Sequence, residues 1–217
     1  MFHPLDHPME RGWPGRIEGE HVVELAAQTL QAFFTGGGAA REHAVFPLSG
    51  VRLLTPVLHP PAVRVFEGET SFAFANPAAV VGPGSQVRGA RLLPRLAAVI
   101  GANGAIGGLT GFADWRDPTR MPPKDRDFAL GLGPVVVTPD DLGSAVEIAV
   151  RVDDVERLRE RSEIDWSAVR DFAAESTRLY AGDVLAGPAV GELDVAPGSA
   201  VEVDATGIGV LRHTVVS

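Results

Sequence analysis

The stretch RLLPRLAAVIG, residues 91–101, decides how this chain folds. It reads as a β-strand that ends in a buried apolar run. The run is entered through two leucines, Pro94 and Arg95. Proline cannot donate a ladder hydrogen bond, so the strand is expected at a sheet edge or with a bulge. Arg95 raises a sharper question. Either a register shift turns it to solvent, or a cation has been placed inside a site.

The 217 residues are 45% hydrophobic, enough for one domain or one domain with a small appendage. The formal net charge is -9 and no Lys/Arg cluster stands out, which argues against nucleic acid and anionic membrane as partners. No cysteine is present, so disulfides, thiolate metal sites and cysteine nucleophiles are excluded, and a cytoplasmic setting is the expectation. MFHPLDHPMERGWPG lacks the apolar core of a signal peptide, and LAAVIGANGAIGGL is too short and glycine-rich to span a bilayer. With 25 glycines and 17 prolines, a turn-rich α+β domain, mainly β, fits better than a helical bundle.

Along the chain, His3 and His7 have helical metal-ligand spacing, but Pro4, Pro8 and Pro14 break any helix there. Residues 1–15 are therefore expected to be a mobile tail, followed by a small N-terminal subdomain over 16–60 and the main domain over 61–217. HVVELAAQTLQAFF, 21–34, has apolar residues at helical spacing. From residue 70 short β segments follow, with turns at Gly82-Pro83-Gly84 and at Gly207 and Gly209. DWSAVRDFAAESTRL, 165–179, is the clearest helix, with Asp165 as its N-cap.

GANGAIGG has the spacing GxxGxxG and no helix follows it, so it is a strand-to-strand turn and not a dinucleotide fingerprint. There is no GxSxG, HExxH or P-loop, and the six histidines are scattered. The polar segment GFADWRDPTRMPPKDRDFALGLGP, 111–134, reads on pattern alone as a solvated loop.

Taken in order, however, several stretches resemble the fumarylacetoacetate hydrolase family over roughly residues 16–217. These are VRLLTPVLHPPAVRVFE, FANPAAVVGPGSQV, RLAAVIG, GFADWRD, Lys124 nine residues ahead of Gly133-Pro134, and LYAGDVLAG followed by VEVDATGIGVLRHTV. The resemblance implies a mixed β-sheet roll with few helices, usually a homodimer. It also implies chemistry on small keto acids assisted by Mg²⁺ or Mn²⁺, which the family holds with an ExE pair and an aspartate. A hard cation needs such oxygen ligands, and residues two apart on a strand share a face.

Carried onto this sequence, Asp114 takes the place of the metal aspartate, Lys124 that of the substrate-facing lysine and Arg116 that of the arginine in the family's NDxSARD segment, with two residues missing between it and Asp114. The ExE pair falls on Leu93 and Arg95. The lid is shortened, its histidine is missing, and the family's GT reads Ala186-Gly187-Pro188. One carboxylate holds Mg²⁺ poorly against water, so no metal cofactor is expected, and Arg95 and Asp114 are expected to form a bidentate pair. Glu67 and Glu69 on the truncated lid are either a solvated turn or a source of new ligands or of a general base.

Three functions stand open. The first is metal-free tautomerisation, decarboxylation or cyclisation of a small anionic keto or enol acid, with Lys124, Asp114 and Arg95 catalytic and Arg116, Glu67, Glu69, Leu93 and Gly187 contacting substrate. The second is a non-catalytic ligand-binding or partner-subunit role. The third is an ordinary metal-dependent C–C hydrolase.

Overall fold

The computed structural model describes residues 1–142 and 145–217. In chain order its strands are β1 (Phe2–Pro4), β2 (Gly15–Glu18), β3 (His21–Leu25), β4 (Glu42–Pro47), β5 (Val51–Leu53), β6 (Val63–Gly68), β7 (Ser71–Ala75), β8 (Val80–Val81) and β9 (Ser85–Val87). They continue with β10 (Arg91–Ile100), β11 (Ile106–Arg116), β12 (Leu130–Val137), β13 (Ala145–Val152), β14 (Val155–Glu163), β15 (Val184–Ala186), β16 (Leu193–Asp194), β17 (Ala200–Ala205) and β18 (Gly209–Val215). Two α-helices, α1 (Leu30–Thr35) and α2 (Trp166–Ala174), complete the main elements. The result is the expected α+β architecture, mainly β. No helix among the described residues is long and apolar enough to cross a membrane.

One sheet runs β7-β6-β15-β10-β11-β12-β8, with β16 also on β10; a second runs β14-β13-β17-β18-β9. They enclose the main core. Leu92, Leu96, Ala98 and Ile100 of β10 meet Val146, Ile148 and Val150 of β13, Val201 and Val203 of β17, and Val169 and Ala173 of α2. The opposite face of β10 is also covered, because Ala97 and Val99 pack with Val63, Val65, Phe112 and Leu132. A strand buried on both faces needs no polar alternation, which is why residues 96–100 are uniformly apolar.

β10 is central, not an edge. It pairs with β11 along its whole length, from Arg91↔Arg116 to Ile100↔Ile106. Pro94 is accommodated differently from expectation. On its other side β10 pairs with β16 at residues 91–92 and with β15 at 97–99, and Pro94 falls in the gap between them. The Pro94 carbonyl there accepts the Val190 N–H at 3.0 Å, so the missing donor faces an irregular segment and no ladder bond is lost. The GANGAIGG turn closes the β10–β11 hairpin, with Asn103 and Gly104 at φ 55 and 73.

Two expectations change. Residues 1–15 are tied down and do not form a mobile tail: Phe2 pairs with Leu53, exchanges backbone hydrogen bonds with Trp13 at 2.9 and 2.8 Å, and is 1% exposed. The prolines that forbid a helix there do not forbid a short strand pinned by an aromatic, and Phe2 packs edge-on to Phe46. Residues 21–34 are not one helix. The β-branched Val22 and Val23 sit in β3 within the sheet β2-β3-β4, and Thr29 then caps the short α1 by accepting the Ala32 N–H. α2 keeps its Asp165 N-cap but stops at Ala174.

Between the sheets, the Trp115 indole N–H donates to His213 Nδ1 at 3.0 Å. Gly131 leaves room for this ring, since a Cβ there would lie 2.1 Å from His213 Cε1. Burial lowers the His213 pKa from 6.5 to about 4. The unfolded chain therefore takes up this proton first as pH falls, and the native state loses stability between pH 6.5 and 4, by up to roughly 3 kcal/mol, with no further loss from this group below that window. Urea denaturation across this range should show a steeper loss for the wild type than for His213→Gln.

Candidate functional site

The antiparallel register places Leu93 opposite Asp114 and Arg95 opposite Phe112. Leu93, Arg95, Asp114 and Arg116 consequently share one face of the β10–β11 pair. Asp114 is 1% exposed and Arg95 is fully buried. Arg95 Nη2 lies 3.1 Å from Asp114 Oδ2, and its Nη1 donates to the carbonyls of Phe66 at 2.7 Å and Gly187 at 3.0 Å. Glu67, on the β6–β7 hairpin, brings Oε1 within 3.5 Å of Arg95 Nη2.

The bidentate fork belongs to a different arginine from the one expected. Arg116 donates Nε to Asp114 Oδ1 at 2.8 Å and Nη2 to Oδ2 at 2.6 Å. It stands two residues along the same strand, so its planar fork meets the carboxylate edge-on. Arg95 crosses from the neighbouring strand with Nη1 already engaged by two carbonyls, and neither Nη2 nor Nε has an aligned hydrogen-bond acceptor. The 3.1 Å contact is thus a charge contact rather than a hydrogen bond.

Burial is the main influence on Arg95 and lowers its pKa, opposed by the charges of Asp114 and Glu67. For Arg116 burial is again the largest single effect, but the hydrogen bond and charge of Asp114, with Glu67 and Asp125 behind, outweigh it and raise the pKa. Both guanidiniums stay charged at neutral pH.

Other expected site residues lie elsewhere. Lys124 is two-thirds exposed and is held at the surface by Asp127, which also accepts the Asn76 amide at 2.7 Å. Its nearest carboxylate is three residues away, and that local pair keeps it out of the cluster. Glu69 accepts the Asp165 N–H at 3.4 Å, at the start of α2. Gly187 joins the cluster through its carbonyl, and its N–H donates to Leu96. A Cβ at this glycine would lie 2.4 Å from Ile164 Cδ1, so no side chain is possible without movement. The Phe66 carbonyl, which the sequence reading missed, is backbone and leaves no residue-type signal. Asp125, 3.8 Å from Arg116 Nη1, stood in the polar segment but was not singled out.

The donor set does not fit a divalent cation. Leu93 offers no lone pair, Arg95 is itself a cation, and both Asp114 oxygens face Arg116. Among the described residues no group of three or more His, Cys, Asp or Glu side chains is placed to hold a metal ion.

Comparison with known proteins fixes the family. The model "Fumarylacetoacetate (FAA) hydrolase C-terminal" matches residues 57–216. The chain belongs to the fumarylacetoacetate hydrolase family. Its fold is similar to that of a maleylpyruvate hydrolase from Sphingobium sp. SYK-6, at 20% identity and TM-score 0.81 over 95% of this chain and 97% of the other. A further structure of that hydrolase is in complex with manganese(II) ion and pyruvate. Similar too are a 5-carboxymethyl-2-hydroxymuconate delta-isomerase from Mycobacterium smegmatis (24% identity, TM-score 0.78, 99% and 97% covered) and the fumarylacetoacetate hydrolase of Exiguobacterium antarcticum (19%, 0.76, 94% and 94%). No curated protein matches the chain. At these identities the family members share a fold with it, and the site has to be argued from its own residues.

Removing Arg95 strips two buried carbonyls of their donor and leaves a void. Arg95→Ala should lower unfolding free energy by about 3–5 kcal/mol, and the partly exposed Arg116→Ala by less, both read by urea denaturation. A loss below about 1 kcal/mol for Arg95→Ala would mean the cluster is not holding these strands together.

Proposed function

We propose that this family member binds a small anionic keto or enol acid without a metal at the Arg95–Asp114 position, and promotes its keto–enol tautomerisation. One observation carries the reading. At the place where the family resemblance puts a metal ligand stands a fully buried guanidinium whose Nη2 and Nε lack aligned acceptors. Two guanidiniums that share the Asp114 carboxylate leave one positive charge in excess of it, which favours an oxyanion as it develops. The open side of the cluster is bordered by Arg116, 12% exposed, and Glu67, 58% exposed.

In the proposed step the Glu67 carboxylate takes a proton from the carbon next to the substrate carbonyl. The C–H electron pair becomes the C=C bond, and the carbonyl π pair moves to oxygen, where the guanidinium charge stabilises it. The protonated Glu67, or water, then returns a proton to that oxygen. No oxidant, reductant or ion takes part. Decarboxylation or cyclisation would use the same oxyanion stabilisation.

A second reading has its own observation. Arg116 already engages both Asp114 oxygens and Arg95 is wholly enclosed, which favours a protein that keeps the fold to bind a ligand or a partner subunit without catalysis. Deuterium exchange at the carbon next to the carbonyl of pyruvate and oxaloacetate, followed by NMR with EDTA present, separates the two. Exchange above the protein-free rate that falls about 10²-fold or more in Glu67→Gln supports tautomerisation. Ligand-observed binding without exchange supports the second reading, and neither binding nor exchange removes the acid.

Hydrolase chemistry through a bound ion is tested separately. Mn²⁺ should leave the melting temperature of the wild type unchanged and should raise that of the double variant Leu93→Glu, Arg95→Glu. A rise in the wild type would overturn the metal-free reading.

A further inference from the structure

Glu67 reaches Arg95 from a hairpin that its own sequence holds weakly. Glu69 and Thr70 join β6 to β7, with Gly68 paired to Ser71. A two-residue hairpin loop matches the twist of its strands when it takes left-handed φ values, which Gly, Asn and Asp supply. Among the described residues the positive φ values fall elsewhere, at neither Glu69 nor Thr70. The ladder is also interrupted. Phe66 pairs with Phe72 and Gly68 with Ser71, so Glu67 is an extra residue with no partner on β7. A bulge of this kind bends its strand and re-aims a side chain. Here the side chain is that of Glu67, whose Oε1 stands 3.5 Å from Arg95 Nη2. The carbonyl just before it, of Phe66, accepts from Arg95 Nη1 at 2.7 Å.

What steadies the hairpin comes from α2. Successive strand residues point to opposite faces, so Phe66 lies on the far side of the strand from Glu67. There the Phe66 and Phe72 rings are 5.1 Å apart, and Phe172 of α2 lies 6.4 and 5.9 Å from them. At the tip, Glu69 accepts the Asp165 N–H at 3.4 Å. The Asp165 carboxylate in turn accepts the Ser167 and Ala168 N–H groups at 2.9 and 3.0 Å. Between the two glutamates, a Cβ at Gly68 would meet no heavy atom within 4 Å, so the chain leans on no neighbour at that point.

We infer that Glu69 is a positioning residue: by holding the tip of the β6–β7 hairpin on the start of α2, it fixes Glu67 and the Phe66 carbonyl against Arg95. Its part in proton transfer rests on the tautomerisation reading, while the tether itself does not. A base two residues from the tip keeps its geometry for proton abstraction only while the tip is held. Glu69 acts through Glu67 and not on the substrate.

Two variants and two readouts test it. Glu69→Ala removes the acceptor, and Glu69→Gln keeps an oxygen for the Asp165 N–H without the charge. Glu69 is exposed, so both variants should fold with melting temperatures close to wild type. In the ligand-free protein, NMR should show the Arg95 Nε–H exchanging with solvent about 10-fold faster or more in Glu69→Ala and at the wild-type rate in Glu69→Gln, with the amides of β17 and β18 unchanged in both. In the pyruvate deuterium-exchange assay, Glu69→Ala should lose about 10-fold in kcat with KM kept within about two-fold, and Glu69→Gln should restore kcat. Unchanged Arg95 exchange in Glu69→Ala overturns the inference. So does a Glu69→Gln that behaves like Glu69→Ala, or a Glu69→Ala that loosens β17 and β18 equally. A wild type without deuterium exchange at carbon removes the tautomerisation reading alone, and the Arg95 measurement then decides the tether by itself.

Discussion

A carboxylate held between two guanidiniums, inside a sheet and away from water, sets the character of this molecule. Burying Asp114 alone would be prohibitive, and burying Arg95 alone would be worse. Together with Arg116 they are tolerable because each charge faces its opposite within about a hydrogen-bond length, and because the backbone carbonyls of Phe66 and Gly187 accept from Arg95 Nη1. The arrangement ties β6, β10, β11 and the chain just after β15 together at one point. A divalent ion ringed by carboxylates would draw ligands together by coordination. Here an organic cation with directional N–H groups does so, and it reaches backbone that an ion at that spot would have to share with water.

Under the proposed metal-free reading, one kind of positive charge takes the place of another, with a consequence for the chemistry. A metal ion polarises a carbonyl and lowers the pKa of bound water. A guanidinium does neither at comparable strength, and it cannot release a proton at neutral pH. What it retains is the capacity to favour an oxyanion. The proposed chemistry is therefore confined to proton movement at carbon beside a carbonyl, with Glu67 as a carboxylate that reaches both the cluster and solvent.

Much of the fold was legible because its signals are local or periodic. The apolar run of β10, the glycine turn after it, the alternation of β17 and β18 and the Asp165 cap each arise from rules that act within a few residues. The order of weak motifs did the rest. The N-terminal region was misread because its prolines speak only against helix, while the pairing of Phe2 with Leu53 is a long-range contact invisible to local pattern. Residues 21–34 were misread because apolar spacing in a short window suits a strand followed by a one-turn helix as well as a single helix. At the site, the shared face of Arg95 and Asp114 followed from strand period. Two things did not: that Arg116 would take the fork, which depends on rotamers, and that Lys124 would turn outward, which depends on Asp127 and Asn76.

The β6–β15 pairing carries a consequence for how the chain is made. Val63 lies beside Val184 in parallel register, and the Arg64–Asp183 ion pair joins residues 119 positions apart in the chain. Gly187, 92 residues beyond Arg95, supplies one of the two carbonyls that seat it. During synthesis the β10–β11 hairpin therefore emerges with its guanidinium only half accommodated, and β6 waits with one flank bare until residues 184–186 have been made. The cluster draws on Phe66, on the Arg95–Arg116 hairpin and on Gly187, so it closes only after the last of these has been made.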